Sequence, residues 1–129
     1  MSKNHLLLAF LCSFCFTLNV SADYIDGQRA YANGDYGVAI LEWTQVAEDG
    51  NARAQYNLGW MHANGKGTAQ DFKEAIKWYT KSAQQGNVNA QYNLGNLYLR
   101  GDGAAQNDNL AFSWFLKAAE QGDAPAQYN

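Results

Sequence analysis

One stretch of this chain is present twice. The segment from Asn51 to Gly86 is followed directly by a second copy from Asn87 to Gly122, a displacement of 87 − 51 = 36 positions. About half of the aligned positions are identical, among them Ala-Gln-Tyr-Asn-Leu-Gly (Ala54 to Gly59, Ala90 to Gly95), Ala75/Ala111, Trp78/Trp114 and the closing Gln-Gly. A third copy opens with Ala126, Gln127, Tyr128 and Asn129. A period of this length denotes one supersecondary unit stacked on copies of itself, because a lone unit cannot bury its apolar face.

The period extends upstream in a degenerate form. Residues 23–50 align Ala39, Ile40, Ala47 and Gly50 with Ala75, Ile76, Ala83 and Gly86. Gly27 aligns with Gly59 at a separation of 59 − 27 = 32, so this unit lacks 36 − 32 = 4 residues between its helices. Asn33-Gly34-Asp35 then reads as a tight turn between them.

Each full unit reads as two helices. Ala54, Leu58 and Met61 recur at helical spacing, and Gly65-Lys66-Gly67 ends that helix. The second helix starts at Asp71, where Asp71 and Glu74 predict a capping box, and Ala75, Ile76, Tyr79 and Ala83 form its inward stripe. Gly86 and Gly122 close the second helices. In the second copy Asn107 replaces Asp71 and Leu110 replaces Glu74, which predicts an incomplete box and a slightly looser loop. The expected fold class is therefore all-α, an α-solenoid of stacked antiparallel helix pairs.

Residues 1–22 read as a cleavable signal peptide. Lys3 and His5 precede an apolar run from Leu6 to Leu18, and Val20-Ser21-Ala22 offers the small residues of a cleavage site. The run is shorter than the roughly 20 residues a membrane span needs. The expected product is a periplasmic or secreted repeat domain over residues 23–129, with no integral membrane anchor once the signal is cleaved. Its units are 23–50, 51–86, 87–122 and a truncated third repeat at 123–129.

Both cysteines, Cys12 and Cys15, lie in the signal, so no disulfide framework is expected in the mature chain. Cleavage removes one of the nine Lys and Arg residues against twelve Asp and Glu, leaving 8 − 12 = −4. These charges are well mixed and form no basic stripe, which argues against a nucleic-acid partner.

Catalytic and cofactor chemistry have little to stand on. The mature chain retains one histidine, His62, and no serine in a nucleophile elbow, so no triad and no zinc site assembles from the usual ligands. His62 reads as a packed substitute for Tyr98. The loops Gly65-Lys66-Gly67 and Gly101-Asp102-Gly103 lack the Walker spacing and follow no strand, so they read as helix punctuation rather than phosphate cradles. No cofactor is expected.

The order Ala-x-x-x-Leu-Gly, an aromatic, Gly-x-Gly, an N-cap, Ala, Trp-Tyr, Lys-x-Ala and Gln-Gly resembles the Sel-one-like repeat, a relative of the tetratricopeptide repeat. Departures are His62 where the family usually has Tyr, and Thr68 and Ala104 where Val is common. The resemblance implies a non-enzymatic adaptor that holds a protein or peptide in a concave groove. It places Arg53, Tyr56, Trp60 and Asn64 in that groove, with Asn89, Tyr92, Asn96 and Arg100 as their counterparts.

Trp60 has two expected roles, as a binding anchor or packed on Tyr31 or Trp43 of the preceding unit. Tyr56, Tyr92 and Tyr128 recur at the period, either as spacers or as a ladder that grips a peptide. Arg53, Arg100 and Lys66 are expected to be answered by Asp49, Asp102 and Asp71, as on a solvated face.

Two alternatives stand beside the adaptor. Cysteine-rich secreted members of the family are described as penicillin-binding β-lactamases, but their repeats are stapled by disulfides that nothing after Ala22 here can form. The other alternative is a fragment of a longer repeat protein, with an apolar, sticky C-terminal end.

Overall fold

A computed structural model of the chain describes residues 24–122; the expected signal peptide at 1–22 and the partial repeat at 123–129 lie outside the described residues. Six helices and no strand occur among the described residues. They are α1 (24–32), α2 (Tyr36–Glu48), α3 (Ala52–Asn64), α4 (Phe72–Gln84), α5 (Val88–Arg100) and α6 (Asp108–Glu120). No helix among them is long and apolar enough to cross a membrane. The helices pair as α1/α2, α3/α4 and α5/α6, and each pair packs on the next, which is an all-α solenoid.

Local chemistry sets the helix ends. Asn51 and Asn87 Oδ1 accept the Ala54 and Ala90 N–H groups, relieving orphan donors in the first turns of α3 and α5. Gly65 and Gly101 end those helices at φ 62° and 73°. The tight turn at Asn33-Gly34-Asp35 is formed, with Gly34 at φ 84°.

The expected capping box at α4 is only half made. Asp71 Oδ1 accepts from the N–H groups of Lys73 and Glu74, but the Asp71 N–H donates to the His62 carbonyl at 2.9 Å. With that donor satisfied, the Glu74 carboxylate turns to Lys77 at 2.6 Å. The looser second loop is not observed either: the Asn107 N–H reaches the Tyr98 carbonyl, also at 2.9 Å, so both loops close with the same bond. Asp71→Ala is expected to cost about 1 kcal/mol in urea denaturation, and Glu74→Ala much less, because only Asp71 satisfies helix N–H groups.

The stack is built on three close approaches. A Cβ on Gly27 would lie 2.4 Å from the Trp43 ring, one on Gly59 2.5 Å from Tyr79, and one on Gly95 2.7 Å from Phe115. Within each unit the first helix therefore lies flat on an aromatic ring of the second. The separations are 43 − 27 = 16, 79 − 59 = 20 and 115 − 95 = 20, and the four missing residues of the first unit account for the difference.

Between units, apolar layers are stitched by buried amides. Val46 and Ala47 of α2 pack with Ala54, Leu58 and Met61 of α3, while Ala75, Tyr79 and Ala83 of α4 pack with Ala90, Leu94 and Leu97 of α5. Gln55 Nε2 donates to the Ala47 carbonyl at 3.0 Å, and Gln91 Nε2 to the Ala83 carbonyl at 3.1 Å. Gln85 and Gln121 then donate to the side-chain oxygens of Gln55 and Gln91. Buried polar atoms held this way fix the register of one unit on the next.

The two ends of the stack differ. Asp26 and Arg29 of α1 stand 32 positions before Leu58 and Met61, and pair with each other at 3.0 Å where the later units carry buried apolar residues. At the other end, Phe112 and Leu116 of α6 are 65% and 47% exposed. Phe112 stands 36 positions after Ile76, which packs against the α5/α6 layer.

Candidate functional site

The first helices of the three units line one face, and two clefts open there on either side of Trp60. The first, of about 520 Å³, lies between α1 and α3 and reaches the start of α5. The second, of about 510 Å³, lies between α3 and α5. Trp60 is half-buried, lines both clefts and meets Tyr31 edge-on at 6.2 Å between ring centres. The expected packing on Tyr31 is therefore formed, and the same side chain is the wall shared by the two clefts.

Seven of the eight expected residues line these clefts. Arg53, Tyr56 and Asn89 join Trp60 in the first, and Asn64, Asn96 and Arg100 join it in the second. Tyr92 lines neither; its ring packs against Phe115 at 5.7 Å. Tyr56 does the same against Tyr79 at 5.8 Å, so each tyrosine bridges the two helices of its own unit. Tyr128 lies outside the described residues.

Sequence reasoning passed over several lining residues. Tyr24, Gln28, Tyr31 and Asn57 belong to the first cleft, and Phe72 and Asn93 to the second. A signal for one of them was available: Tyr24 stands 56 − 24 = 32 positions before Tyr56, in register through the degenerate unit. Asn57 and Asn93 are identical in both copies, which suggests framework, yet the structure divides them. Asn93 Nδ2 donates to the Tyr79 hydroxyl at 3.3 Å, whereas the Asn57 amide makes no hydrogen bond among the described residues.

The two phenols between α3 and α4 are held neutral. Burial pushes Tyr79 well above the usual range, the neighbouring Tyr56 adds to this, and the Asn93 hydrogen bond only partly opposes it. Tyr56 is raised as well, chiefly by burial, again against Asn93. They serve the floor of the groove as apolar surface with fixed hydroxyls rather than as acids or bases.

The cations behave differently from one another. Arg100 pairs with Asp102 at 3.0 Å, as expected. The expected Arg53–Asp49 and Lys66–Asp71 pairs are not formed. Arg53 instead lies over the Tyr24 ring at 5.1 Å, and Lys66 over the Tyr36 ring at 5.1 Å. A ring face holds a guanidinium or ammonium without the entropic demand of aligning two flexible exposed chains. His62 occupies the Tyr98 position half-buried, and nothing in the structure explains why its Nδ1 is buried without a hydrogen bond. No group of three or more His, Cys, Asp or Glu side chains suited to a metal occurs among the described residues.

Comparison with known proteins places this geometry. The Sel1 repeat model matches residues 52–87 and 88–123, more than half of the chain. Among solved structures, a Sel1 repeat protein from Oxalobacter formigenes is 33% identical with a TM-score of 0.76, over 81% of this chain and 43% of that one. A protective antigen of uropathogenic Escherichia coli displaying an SLR fold is 35% identical with a TM-score of 0.78, over 83% and 24%. The chain thus spans less than half the length of either.

Cysteine rich protein B of Helicobacter pylori shares the fold at 20% identity and a TM-score of 0.73, over 89% of this chain and 91% of that one. No curated protein matches the sequence significantly. The tandem repeat, its helix pairs and the family match agree: the chain belongs to the Sel1 repeat family, whose members are in general protein-interaction modules on a typically non-enzymatic scaffold.

Proposed function

We propose that the groove lined by α1, α3 and α5 binds an extended segment of a protein partner, and that it does so in the periplasm or outside the cell. The observation that carries this reading is the pair of clefts joined by Trp60. They are similar in volume and follow one another along the repeat axis, so successive side chains of one segment can enter successive clefts.

The lining suits a peptide backbone. Gln28, Asn57, Asn89 and Asn96 present side-chain amides with no hydrogen bond among the described residues, and each amide offers both a donor and an acceptor to a peptide group. Half-buried rings between them supply apolar area at low entropic cost. The reading assigns no catalytic residue; the adaptor presents a surface. The apolar leader at residues 1–22 supports the envelope location.

A photo-crosslinking residue at position 57, tested in native cells beside one at Gln45 on the outer face of α2, examines the groove directly. Adducts are expected from position 57 and not from position 45. Trp60→Ala is expected to weaken the captured partner about tenfold, as loss of a central aromatic does. Equal capture from both positions, or none from position 57, would move the site off the groove.

A further inference from the structure

We infer that the outer face of the second helices, centred on α4, docks on an anionic phospholipid bilayer and leaves the groove turned away from it. This goes beyond the reading of the groove and does not depend on what the groove holds.

Charge sets the middle unit apart. Residues 51–86 hold five Lys and Arg against two Asp and Glu, 5 − 2 = +3, in a chain of net charge −3. Three of the five, Lys73, Lys77 and Lys81, recur every fourth residue along α4, so they share one side of the helix, and all three are exposed. Lys117 of α6 stands 117 − 81 = 36 positions after Lys81 and continues the stripe on the next second helix. The expectation of mixed charges without a basic stripe therefore fails on this face. None of the four lysines lines either cleft.

The stripe is largely uncompensated. Lys77 pairs with Glu74, but Lys73, Lys81 and Lys117 have no carboxylate within ion-pair distance among the described residues. Lys77 and Lys81 lie over the Trp78 ring at 4.8 and 5.1 Å, and Lys117 over the Trp114 ring at 4.4 Å, so indole faces seat three of the four stems. On the flanking second helices, Glu48 and Glu120 stand in register with Gln84, beyond the C-terminal end of the stripe, and Glu42 with the buried Trp78.

Exposed apolar side chains border the lysines. Leu41 of α2 stands 77 − 41 = 36 positions before Lys77, so it takes the same outward position, and it is 73% exposed. On the other side lie Phe112 and Leu116 of α6. Ammonium groups at the headgroup phosphates, with apolar chains reaching the acyl boundary beside them, are what holds a surface at a bilayer. An acidic protein would engage the lysines and leave Leu41 and Phe112 in water. The rest of the chain is net acidic, and an anionic surface repels it, which fixes the orientation.

The test uses the chain from residue 23 to residue 129, which contains every core residue described. It is sedimented with vesicles of phosphatidylcholine, and with vesicles of phosphatidylcholine and phosphatidylglycerol in equal parts. At low ionic strength the mixed vesicles are expected to bind at least about tenfold more tightly, and high ionic strength should abolish the difference. Lys73→Gln, Lys81→Gln and Lys117→Gln should each weaken that binding about fivefold, whereas Arg29→Gln, which removes the same charge at the far end of the stack, should weaken it less than about twofold. Leu41→Ser, which leaves the charge unchanged, should weaken it about threefold.

Equal binding to both kinds of vesicle, or none to either, would overturn the proposal. Equal losses from Arg29→Gln and the lysine variants would do the same, because the attraction would then belong to net charge and not to this face. Binding to polyglutamate without binding to the mixed vesicles would overturn the bilayer assignment and give the stripe to an acidic protein.

Discussion

Gly67→Ala and Gly103→Ala are each expected to destabilise the fold by about 3 kcal/mol. Both glycines sit at positive φ, 73° and 79°, where a Cβ brings backbone strain. Both also press on the preceding unit. A Cβ on Gly67 would lie 2.6 Å from the carbonyl carbon of Tyr36, and one on Gly103 2.6 Å from that of Phe72. Tyr36 and Phe72 are the first residues of α2 and α4, so the obstacle is helical backbone and no rotamer change relieves it.

A useful control is Gly86→Ala. Gly86 is also at positive φ, 91°, but a Cβ there meets nothing within 4 Å. It should show the conformational cost alone, about 1 kcal/mol, and the remaining 2 kcal/mol or so at Gly67 and Gly103 measures the loop-to-helix contact between units. Urea denaturation of the three variants checks this. Equal losses at all three positions would mean that the loops do not lock one unit on the next. For a domain of this size the larger loss lowers the melting temperature by more than about 10 °C.

Those contacts also show what a sequence of this kind discloses. The helix pairs are legible because each boundary is written in local chemistry: an Asn or Asp cap, a glycine at the far end, an apolar stripe of period 3.6. The tandem copy makes every such reading twice. Even the degenerate first unit is legible, since Gly27 and Trp43 occupy the places of Gly59 and Tyr79. What local chemistry does not contain is where a loop lands on a neighbouring unit. Gly65-Lys66-Gly67 reads as helix punctuation, and Gly65 has that role, but Gly67 is required by Tyr36 more than thirty residues away.

The same gap explains the misread polar groups. Asp71 and Glu74 have capping-box spacing, yet the His62 carbonyl claims the Asp71 N–H first, and that carbonyl comes from the preceding helix. Asp49 is near Arg53 in sequence, but the Tyr24 ring supplies the better seat. In the groove, identity between copies was a poor guide to role. Asn57 and Asn93 share a repeat position, but the residues opposite them differ: Asn93 finds the Tyr79 hydroxyl, whereas the Tyr79 position of the preceding unit is Trp43, whose indole N–H donates to the Tyr24 carbonyl. Trp43 has no hydroxyl to offer, and the Asn57 amide is left to face the first cleft.

The Tyr79 hydroxyl carries the second large effect, an expected loss of stability in alkaline solution. Tyr79 is 2% exposed, and its burial, with Tyr56 beside it, raises its pKa in the folded chain. In the unfolded chain a tyrosine titrates near pH 10. Below that pH both states hold the proton and the group contributes no pH dependence. Above it the unfolded chain releases a proton that the folded chain keeps, so stability falls as pH rises, by about 1.4 kcal/mol per pH unit.

Between about pH 10 and pH 12 the expected loss from Tyr79 alone is therefore about 2 kcal/mol, and Tyr56, raised in the same direction, steepens the start of the decline. Tyr79→Phe separates this from general alkaline damage. The variant should be less stable than wild type at neutral pH by about 1 kcal/mol, because the Asn93 amide loses its partner. It should then decline more shallowly above pH 10, so that the two curves converge. Parallel curves would show that Tyr79 ionises as readily in the fold as outside it, and that the second cleft is open to water down to the α3/α4 interface.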